Sequence, residues 1–415
     1  MAIKNGPPLH GINVIDLTTS YAGPTAAMYL ADLGASVVKV ERPGVGDDTR
    51  QWGPPFVDGT SAWFASANRN KKSIVLDLRS ERGRTVLLDL IDSADVFLQN
   101  LNPAKLTRLG IDGATLLARN PRLIYCAMSG FGLDGPDSAL PGYDLVAQAR
   151  SGLMSVTGEA GRSPQRVSTA LSDIVAGMSA AIAINASLVR QAQTGAGEII
   201  DISLLDTDLA LMAPRIAAFH AGEPEPAPSG GTDSVLAVYQ RFEARDRSIV
   251  VAIGNDAMWQ RFCDALGLKK LAADPALGDN AGRRRARTRI TDLVSEKLTT
   301  RTAAEWLRTF DEIDVPASLV QSLSEVVKDA HVVARGSIVS VPDSNGEMVT
   351  VRSPFRLAST PIRNERFPDL GENSREILLE LGYSHSEIET LFVNQVSSEP
   401  VDHARVSARD DREVP

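Results

Sequence analysis

The chain has 415 residues, 43% of them hydrophobic, and its 52 acidic side chains outnumber its 43 basic ones to give a formal net charge of -9. Single domains usually stop growing at about 250–300 residues, so two lobes are expected. The acidic balance excludes the basic surface that a nucleic-acid partner requires, and two distant cysteines among five scattered histidines exclude a disulfide scaffold and a metal site.

The first two hundred residues alternate between strand-like and helix-like patterns. Short apolar runs rich in β-branched residues are separated by amphipathic segments such as Glu81 to Asp92. This alternation predicts an α/β fold with a parallel sheet that is covered on both faces. The predicted strands are Ile12 to Leu17, Ser36 to Glu41, Ser73 to Leu78, Val96 to Leu98, Leu123 to Met128 and Ile199 to Ser203.

An apolar segment and a stretch rich in proline and glycine indicate where the chain divides into domains. The segment from Leu171 to Val189 carries Asp173 as its one ionisable group, which predicts a helix buried on nearly all sides. Prolines and glycines then dominate residues 222–233, which we interpret as a linker between a large domain at 1–221 and a small α+β domain at 234–332. Residues 333–395 return to short strands and two helices, and from pattern alone they form either a separate unit or part of the first lobe.

The two chain ends bear on location. Residues 396–415 are polar and charged, which predicts a mobile tail because such a segment buries too little apolar surface to offset its ordering entropy. The N-terminal residues contain no apolar signal core, and no run approaches the roughly 20 uninterrupted apolar residues that span a bilayer. We therefore expect a cytoplasmic protein with no membrane partner.

Basic residues recur at the ends of the predicted strands, namely Arg42, Lys71, Lys105 and Arg108. The carboxyl ends of parallel strands border the ligand crevice of an open α/β sheet, so Arg42, Lys105 and Arg108 are candidates to bind phosphates there. Each one taken singly is better explained as a solvated surface charge. Their shared location is what favours a binding site.

Asp173 is the most specific local feature. A lone carboxylate at the start of an apolar helix is either an N-cap or a functional acid that is retained despite its desolvation cost, and local sequence favours the cap. Ser172 could serve equally well as the cap. Gly230 and Gly231 present a similar choice between plain linker and backbone N–H donors for an oxyanion.

Together these motifs resemble one family, the class III CoA transferases, which includes formyl-CoA transferase, carnitine CoA transferase and the α-methylacyl-CoA racemases. The similarity spans nearly the whole chain. The stretches that carry it are Asp16 to Pro43, Ala67 to Leu78, Gln99 to Gly110, Ser129 to Pro136 and Pro141 to Gly158.

The resemblance implies roles for individual residues. Asp173 falls on the catalytic aspartate of the family, Tyr143 on an active-site tyrosine, and Gly230 and Gly231 on a mobile glycine loop. Tyr21 stands where formyl-CoA transferase has glutamine and the glycine run is shorter, so formate and oxalate are disfavoured as substrates. The positions implied to contact CoA are Arg42, Lys71, Asn100, Leu101 and Arg108.

The resemblance also implies a fold and an activity. The fold would be a Rossmann-like α/β large domain built from both chain ends, with a smaller α+β domain inserted, in a homodimer of interlocked subunits. The activity would be transfer of CoA from an acyl-CoA thioester to a carboxylic acid through an aspartyl anhydride and an aspartyl-CoA thioester, with no metal and no permanently bound cofactor. Two alternatives stay open: a racemase-type isomerase, for which Tyr143 replaces a needed histidine, and a non-catalytic CoA-binding protein.

Overall fold

A computed structural model describes residues 6–57, 59–343, 346–360, 362 and 364–400. The strands of this part of the chain are β1 (Asn13–Leu17), β2 (Ser36–Glu41), β3 (Phe56–Val57), β4 (Thr60–Ser61), β5 (Lys72–Val75), β6 (Val96–Gln99), β7 (Ile124–Ser129), β8 (Glu198–Ser203), β9 (Tyr239–Glu243), β10 (Ser248–Ala252), β11 (Ala317–Leu319), β12 (Ile338–Asp343) and β13 (Gly346–Val351).

The helices vary from one turn to more than six turns. They are α1 (Ala22–Asp32), α2 (Ala62–Asn68), α3 (Glu81–Asp92), α4 (Pro103–Leu109), α5 (Gly113–Arg119), α6 (Asp144–Arg150), α7 (Leu153–Val156), α8 (Leu171–Thr194), α9 (Leu204–His220), α10 (Asp256–Ala265), α11 (Lys269–Ala272), α12 (Asn280–Arg285), α13 (Arg287–Leu298), α14 (Ala303–Glu312), α15 (Leu323–Val326), α16 (Ala330–Ala334), α17 (Ser374–Glu380) and α18 (His385–Val393).

Six strands form one parallel sheet in the order β5-β2-β1-β6-β7-β8. The chain winds outward from β1 to β5 and then returns to start the other half at β6, which is the order of a doubly wound Rossmann sheet. The predicted α/β class with a parallel sheet is therefore confirmed. The strand order also reverses between β1 and β6, and this is where ligands bind in such sheets.

The sheet separates two hydrophobic cores because successive side chains of a strand point to opposite faces. Val14, Val96 and Leu98 pack on one face with α1 and α8, while Ile15 and Phe97 pack on the other face with α3, α17 and α18. Both faces are covered, so consecutive apolar residues occur in the strands, as in Val14 and Ile15 of β1 and in Val96 to Leu98 of β6. This arrangement explains why their sequence shows continuous runs and not an alternation.

Helices α1 and α8 lie in close contact on the first face. A Cβ atom added at Gly177 of α8 would lie 2.8 Å from the carbonyl oxygen of Ala22, so only glycine permits this approach. Small residues such as Ala176 and Ala180 continue the buried face of α8. The packing fixes the first turn of α8 beside the carboxyl end of β1.

Helix α8 is long and apolar enough to cross a membrane by its length and composition, and among the described residues it is the one helix of that kind. The sequence analysis did not identify it because the apolar residues are interrupted by serine and asparagine. Ala176, Ala180 and Ile184 pack in the core with α1, as in a core helix. The expectation of no membrane partner stays a prediction.

The chain divides into two units. The first contains residues 1–153, 167–216 and 336–415, and the second contains residues 154–166 and 217–335, each so far as described. The second unit has an antiparallel sheet in the order β11-β10-β9 over a core that includes Trp259 and Phe310. The sequence analysis did not assign residues 154–166 to this unit, and its domain limits of 222–233 and 234–332 stay predictions.

The C-terminal helices belong to the first unit. Val396 is buried with α17 and α18, and its carbonyl accepts a hydrogen bond of 2.8 Å from the Asp77 N–H. Glu399 pairs with Arg375 at 2.9 Å. The ordered chain thus continues past residue 396, where the predicted tail begins, because Val396 adds apolar surface to the core. Residues 401–415 of that tail lie outside the described residues.

Candidate active site

Two cavities open at the carboxyl edge of the parallel sheet, and all of their lining residues belong to the first unit. The large cavity, of about 630 Å³, lies at the ends of β1, β2 and β5 and beside α4. The small cavity, of about 260 Å³, lies at the ends of β6, β7 and β8 and reaches the first turn of α8. Both include Thr19 and Leu101, so they adjoin at the switch point between β1 and β6.

The small cavity holds the carboxylate of Asp173, in the first turn of α8. The N-cap of this helix is Ala170, which has no side-chain capping bond. The Ser172 N–H instead donates to Asp144 Oδ1 at 2.8 Å, so a carboxylate from α6 caps the helix. Asp173 accepts no hydrogen bond and forms no ion pair within the described residues, and the N-cap explanation for it is wrong.

Burial, together with the nearby carboxylates of Asp144 and Asp208, raises the pKa of Asp173 from 3.8 to about 7, and burial makes the largest contribution. A buried acid with no hydrogen-bond donor is poorly stabilised in its charged form. The same lack of stabilisation makes the carboxylate, once ionised, a strong nucleophile. A perturbed acid in a cavity is also typical of functional sites.

Backbone at the end of β1 forms the opposite wall of the small cavity. Asn100 holds it through two hydrogen bonds, accepting from the Thr19 N–H at 3.1 Å and donating to the Thr19 carbonyl at 2.8 Å. The next residue, Ser20, has a φ of 70°. Tyr143 lines the cavity from the start of α6 with 60% of its surface exposed. No lysine, arginine or histidine lines this cavity among the described residues.

The large cavity carries an excess of positive charge. Each of its four acids is already matched by a base, in the pairs Glu41 with Arg50, Asp47 with Lys39, Asp48 with Arg42, and Asp77 with Arg79. Lys105 and Arg108, three residues apart on α4, have no carboxylate partner in the described parts of the chain. Their side chains are available for phosphate oxygens, with which such cations form charge-assisted hydrogen bonds.

The model of CoA-transferase family III matches residues 9–374. This chain belongs to CoA-transferase family III. The succinate–glutarate CoA-transferase of Agrobacterium fabrum is 36% identical over 383 residues, which are 90% of this chain and 96% of that protein. The acetyl-CoA:oxalate CoA-transferase of Acetobacter aceti is 34% identical over 360 residues, which cover 86% of this chain and 91% of that protein.

A solved structure has the same fold as this chain. The crystal structure of a CAIB/BAIF family protein from Brucella suis matches with a TM-score of 0.79 and 35% identity, covering 91% of this chain and 100% of that one. Because relatives at this level of identity are named CoA-transferases, the chain is an enzyme of that class and acts on CoA thioesters. The alternative of a non-catalytic CoA-binding protein is thereby wrong.

Most of the residues predicted for the site lie at the two cavities of the transferase. Asp173, Asn100 and Tyr143 line the small cavity, while Arg42 and Arg108 line the large one. Leu101 borders both. Their contacts with CoA and acid stay predictions. The strand-end position predicted the location of Arg42 and Arg108, whereas the family resemblance supplied Asp173, Tyr143, Asn100 and Leu101.

The prediction that Lys71 contacts CoA is corrected by the structure, because Lys71 lines neither cavity. Its Nζ donates to Asp16 Oδ2 at 2.9 Å, the Pro24 carbonyl at 2.9 Å and Asn68 Oδ1 at 2.8 Å, which uses all three of its donors. Burial lowers its pKa to about 8. Lys71 therefore supports the turn after β1 from inside the protein and has no donor left for CoA.

Tyr21 and the glycine pair also differ from expectation in detail. Tyr21 does not line the small cavity, and its hydroxyl bonds to Ser66 Oγ at 2.9 Å. Gly230 and Gly231, in the second unit, have φ values of 70° and 81°. The Gly230 N–H donates to the Gly158 carbonyl at 2.9 Å. Of the two glycines, Gly231 is therefore the one whose N–H has no acceptor among the described residues.

The sequence analysis missed four residues of the site. Arg79 and Arg84 line the large cavity just beyond β5, and the strand-end argument applied to Arg42 would have found Arg79. Asp144 and Asp208 surround Asp173 from α6 and α9, and no sequence signal marked them. No group of three His, Cys, Asp or Glu side chains is placed to hold a metal ion in the described residues.

Proposed function

We propose that the transferase moves CoA from a donor thioester such as succinyl-CoA to a short carboxylic acid, with Asp173 as the covalent nucleophile. The observation that carries this proposal is the Asp173 carboxylate itself, which lies in a cavity and has no hydrogen-bond or ion-pair partner among the described residues. The adjoining large cavity has unmatched positive charge for the phosphates of CoA. A thioester that extends from one cavity into the other would present its carbonyl to Asp173.

The first half of the reaction transfers the acyl group to the enzyme. An oxygen of Asp173 attacks the thioester carbonyl carbon, the C–S bond breaks, and CoA leaves as a thiolate with a mixed anhydride remaining. The thiolate then attacks the Asp173 carbonyl carbon and expels the donor acid as a carboxylate, which leaves an aspartyl-CoA thioester. Each step exchanges one activated acyl group for another, so no external energy source enters.

The second half repeats these steps in reverse order with a new acid. The acceptor carboxylate attacks the aspartyl-CoA carbonyl and releases the thiolate, which forms a second anhydride. The thiolate attacks the acceptor's carbonyl carbon, and the Asp173 carboxylate is regenerated. Excluding water from the small cavity protects both anhydrides from hydrolysis.

The relatives supply the acids to test first. The named substrates of the two curated relatives include succinate, glutarate and oxalate. We therefore include oxalate among the candidates, and the expectation against it from Tyr21 and the short glycine run no longer has support. A panel of acyl-CoAs and acids, read by mass spectrometry of the CoA esters, identifies the pair that exchanges.

Hydroxylamine tests the covalent role directly. The activated Asp173 should be trapped as a hydroxamate only when acyl-CoA is present, and a peptide map should place the mass change on residue 173. Asp173→Ala should abolish transfer while CoA still binds. The matched control is Asp311→Asn, because Asp311 is an exposed aspartate of α14 whose side chain has no partner among the described residues. Adduct formation on another residue, or transfer by Asp173→Ala, would contradict the proposal.

Uptake of solvent deuterium at the α-carbon of the acyl-CoA without an acceptor acid would indicate the racemase-type alternative instead.

We also propose that the transferase is a homodimer of interlocked subunits. Ile182 and Val189 are seven residues apart on one face of α8, and they are 70% and 61% exposed. Leu209 and Leu211 of α9 add to the exposed apolar surface of the first unit. Light scattering should give twice the chain mass, and Ile182→Glu should shift it toward the monomer. A monomeric wild type at micromolar concentration would contradict this proposal.

A cytoplasmic location is proposed as well. Cys126 and Cys263 are both buried and unpaired, and burial raises the pKa of each thiol to about 12. Such thiols stay reduced and unreactive in a reducing compartment. Cell fractionation with antibody detection tests this location, and recovery in an extracytoplasmic fraction would refute it.

A further inference from the structure

Ser172 links the nucleophile to a second buried carboxylate. Its Oγ donates to Asp208 Oδ2 at 2.8 Å, and the serine directly precedes Asp173 in the first turn of α8. The Ser172 N–H donates to Asp144 Oδ1. Both polar groups of Ser172 are therefore held by carboxylates from neighbouring helices, and the position of the next residue depends on these two bonds.

Asp208 is more deeply buried than its role as an acceptor requires. Its side chain is fully inaccessible, and Oδ1 has no hydrogen-bond partner among the described residues. No lysine, arginine or histidine forms an ion pair with Asp144, Asp173 or Asp208 within the described chain. A buried carboxylate without a cation costs several kcal/mol of stability, so a purely structural role is better filled by asparagine.

The charge of Asp208 has a use if Asp173 is the nucleophile. Like charges that are close together in a poorly solvated site raise each other's free energy. When Asp173 attacks, its negative charge passes to the thioester oxygen and then to the sulfur of the leaving CoA, farther from Asp208. The repulsion is therefore greater before the attack than after it, which lowers the barrier.

We propose that Asp208 is a positioning residue of the transferase: it holds the first turn of α8 through Ser172, and its charge repels the Asp173 carboxylate so that attack on the thioester relieves the repulsion. This inference rests on the proposed role of Asp173 as nucleophile. It assigns a function to a side chain that lines neither cavity. Burial and the Asp144 charge raise the pKa of Asp208, and the hydroxyls of Ser172 and Ser151 oppose that shift, which is consistent with a costly charge at this position.

Other titratable groups on the elements around Asp173 have to be considered. Tyr21 at the start of α1 is one of them: burial raises the pKa of its hydroxyl, and the Asp173 charge raises it further. The remaining charged or titratable groups of these elements do not contribute to the raised pKa of Asp173, and among them Cys126 is buried in the core beside α8. They are Tyr29 and Asp32 of α1, Arg150 of α6, Tyr125 and Cys126 of β7, Glu198 and Asp201 of β8, and Asp206, Arg215 and His220 of α9.

Asp208→Asn tests the inference, because it removes the charge and keeps an oxygen to accept from Ser172. The readout is the pH dependence of CoA release in a single turnover. We expect the acidic limb of the profile to move to lower pH by about half a unit to one unit, the plateau rate to fall several-fold, and the KM for acyl-CoA to change less than about twofold. Ser172→Ala should lower the plateau and leave the limb unmoved, because the charge remains.

Two controls separate the outcomes. Asp206→Asn, on the exposed side of the same helix, should leave the profile unchanged. Asp208→Ser also removes the charge. A cooperative thermal unfolding transition shows whether each of the two Asp208 variants is folded, and the acidic limb of the pH profile must move in any variant that is. An unmoved limb in a folded variant overturns the inference. Absence of a hydroxamate on Asp173 in the wild type would overturn the nucleophile proposal instead, so the two failures are distinguishable.

Discussion

Replacing Asp173 by asparagine should abolish transfer and at the same time stabilise the protein. The side chains have nearly the same shape, but asparagine cannot ionise. The Asp173 pKa rises from 3.8 to about 7 on folding, so the folded state disfavours the charged form. At about 1.4 kcal/mol per unit, the wild type loses up to about 4 kcal/mol of stability at alkaline pH, and Asp173→Asn recovers it.

The sign of the effect follows from which state binds the proton. Between pH 3.8 and about 7 the folded state keeps the Asp173 proton that the unfolded chain has lost, so wild-type stability falls as the pH rises through this window. The variant has no such dependence. The difference between the two proteins should therefore grow from about 1 kcal/mol at pH 4.5 to about 4 kcal/mol at pH 8, where it levels off.

Urea unfolding at these two pH values measures the difference. Tryptophan fluorescence and circular dichroism should be followed together, because two units can unfold in separate transitions. Asp311→Asn controls for the loss of one negative charge. A variant that is no more stable than the wild type at pH 8, or one whose gain is equal at both pH values, would refute the argument that Asp173 is held in an unfavourable charged state.

Three further predictions concern activity and the neighbouring charges. The rate of transfer should rise with pH through about pH 7, because Asp173 must lose its proton to attack, and a flat profile from pH 5 to pH 9 would contradict this. Arg108→Ala should raise the KM for acyl-CoA by about 10-fold or more with kcat little changed, because a charge-assisted phosphate contact is lost. Lys72→Ala is the control and should leave this KM unchanged, because Lys72 lies outside both cavities. Lys71→Met should cost about 3–5 kcal/mol in urea unfolding by leaving the Asp16 charge buried and unpaired, whereas a change confined to the KM for CoA would show that Lys71 is a ligand after all.

Much of the fold followed from local pattern. Runs such as the one at Val96 can be buried only in a sheet covered on both faces, so a parallel α/β sheet was predictable without knowing any contact. The same logic placed Arg42 and Arg108 at one edge, because parallel strands end together.

The identity of the nucleophile's neighbours was decided by tertiary structure alone. Asp144 and Asp208 are 29 and 35 positions from Asp173 in the sequence, and only the packing of α6 and α9 around α8 brings them together. Lys71 shows the converse, since a lysine beside a strand end has the same sequence signature whether it faces a cavity or the interior. Periodicity and strand order fix which edge a residue occupies, whereas burial and hydrogen-bond partners depend on side chains that meet across distant segments. For this transferase the sequence determined the sheet, its ligand-binding edge and the candidate acid. The fold determined that this acid is buried beside two other carboxylates, with no hydrogen-bond donor near it in the described part of the chain.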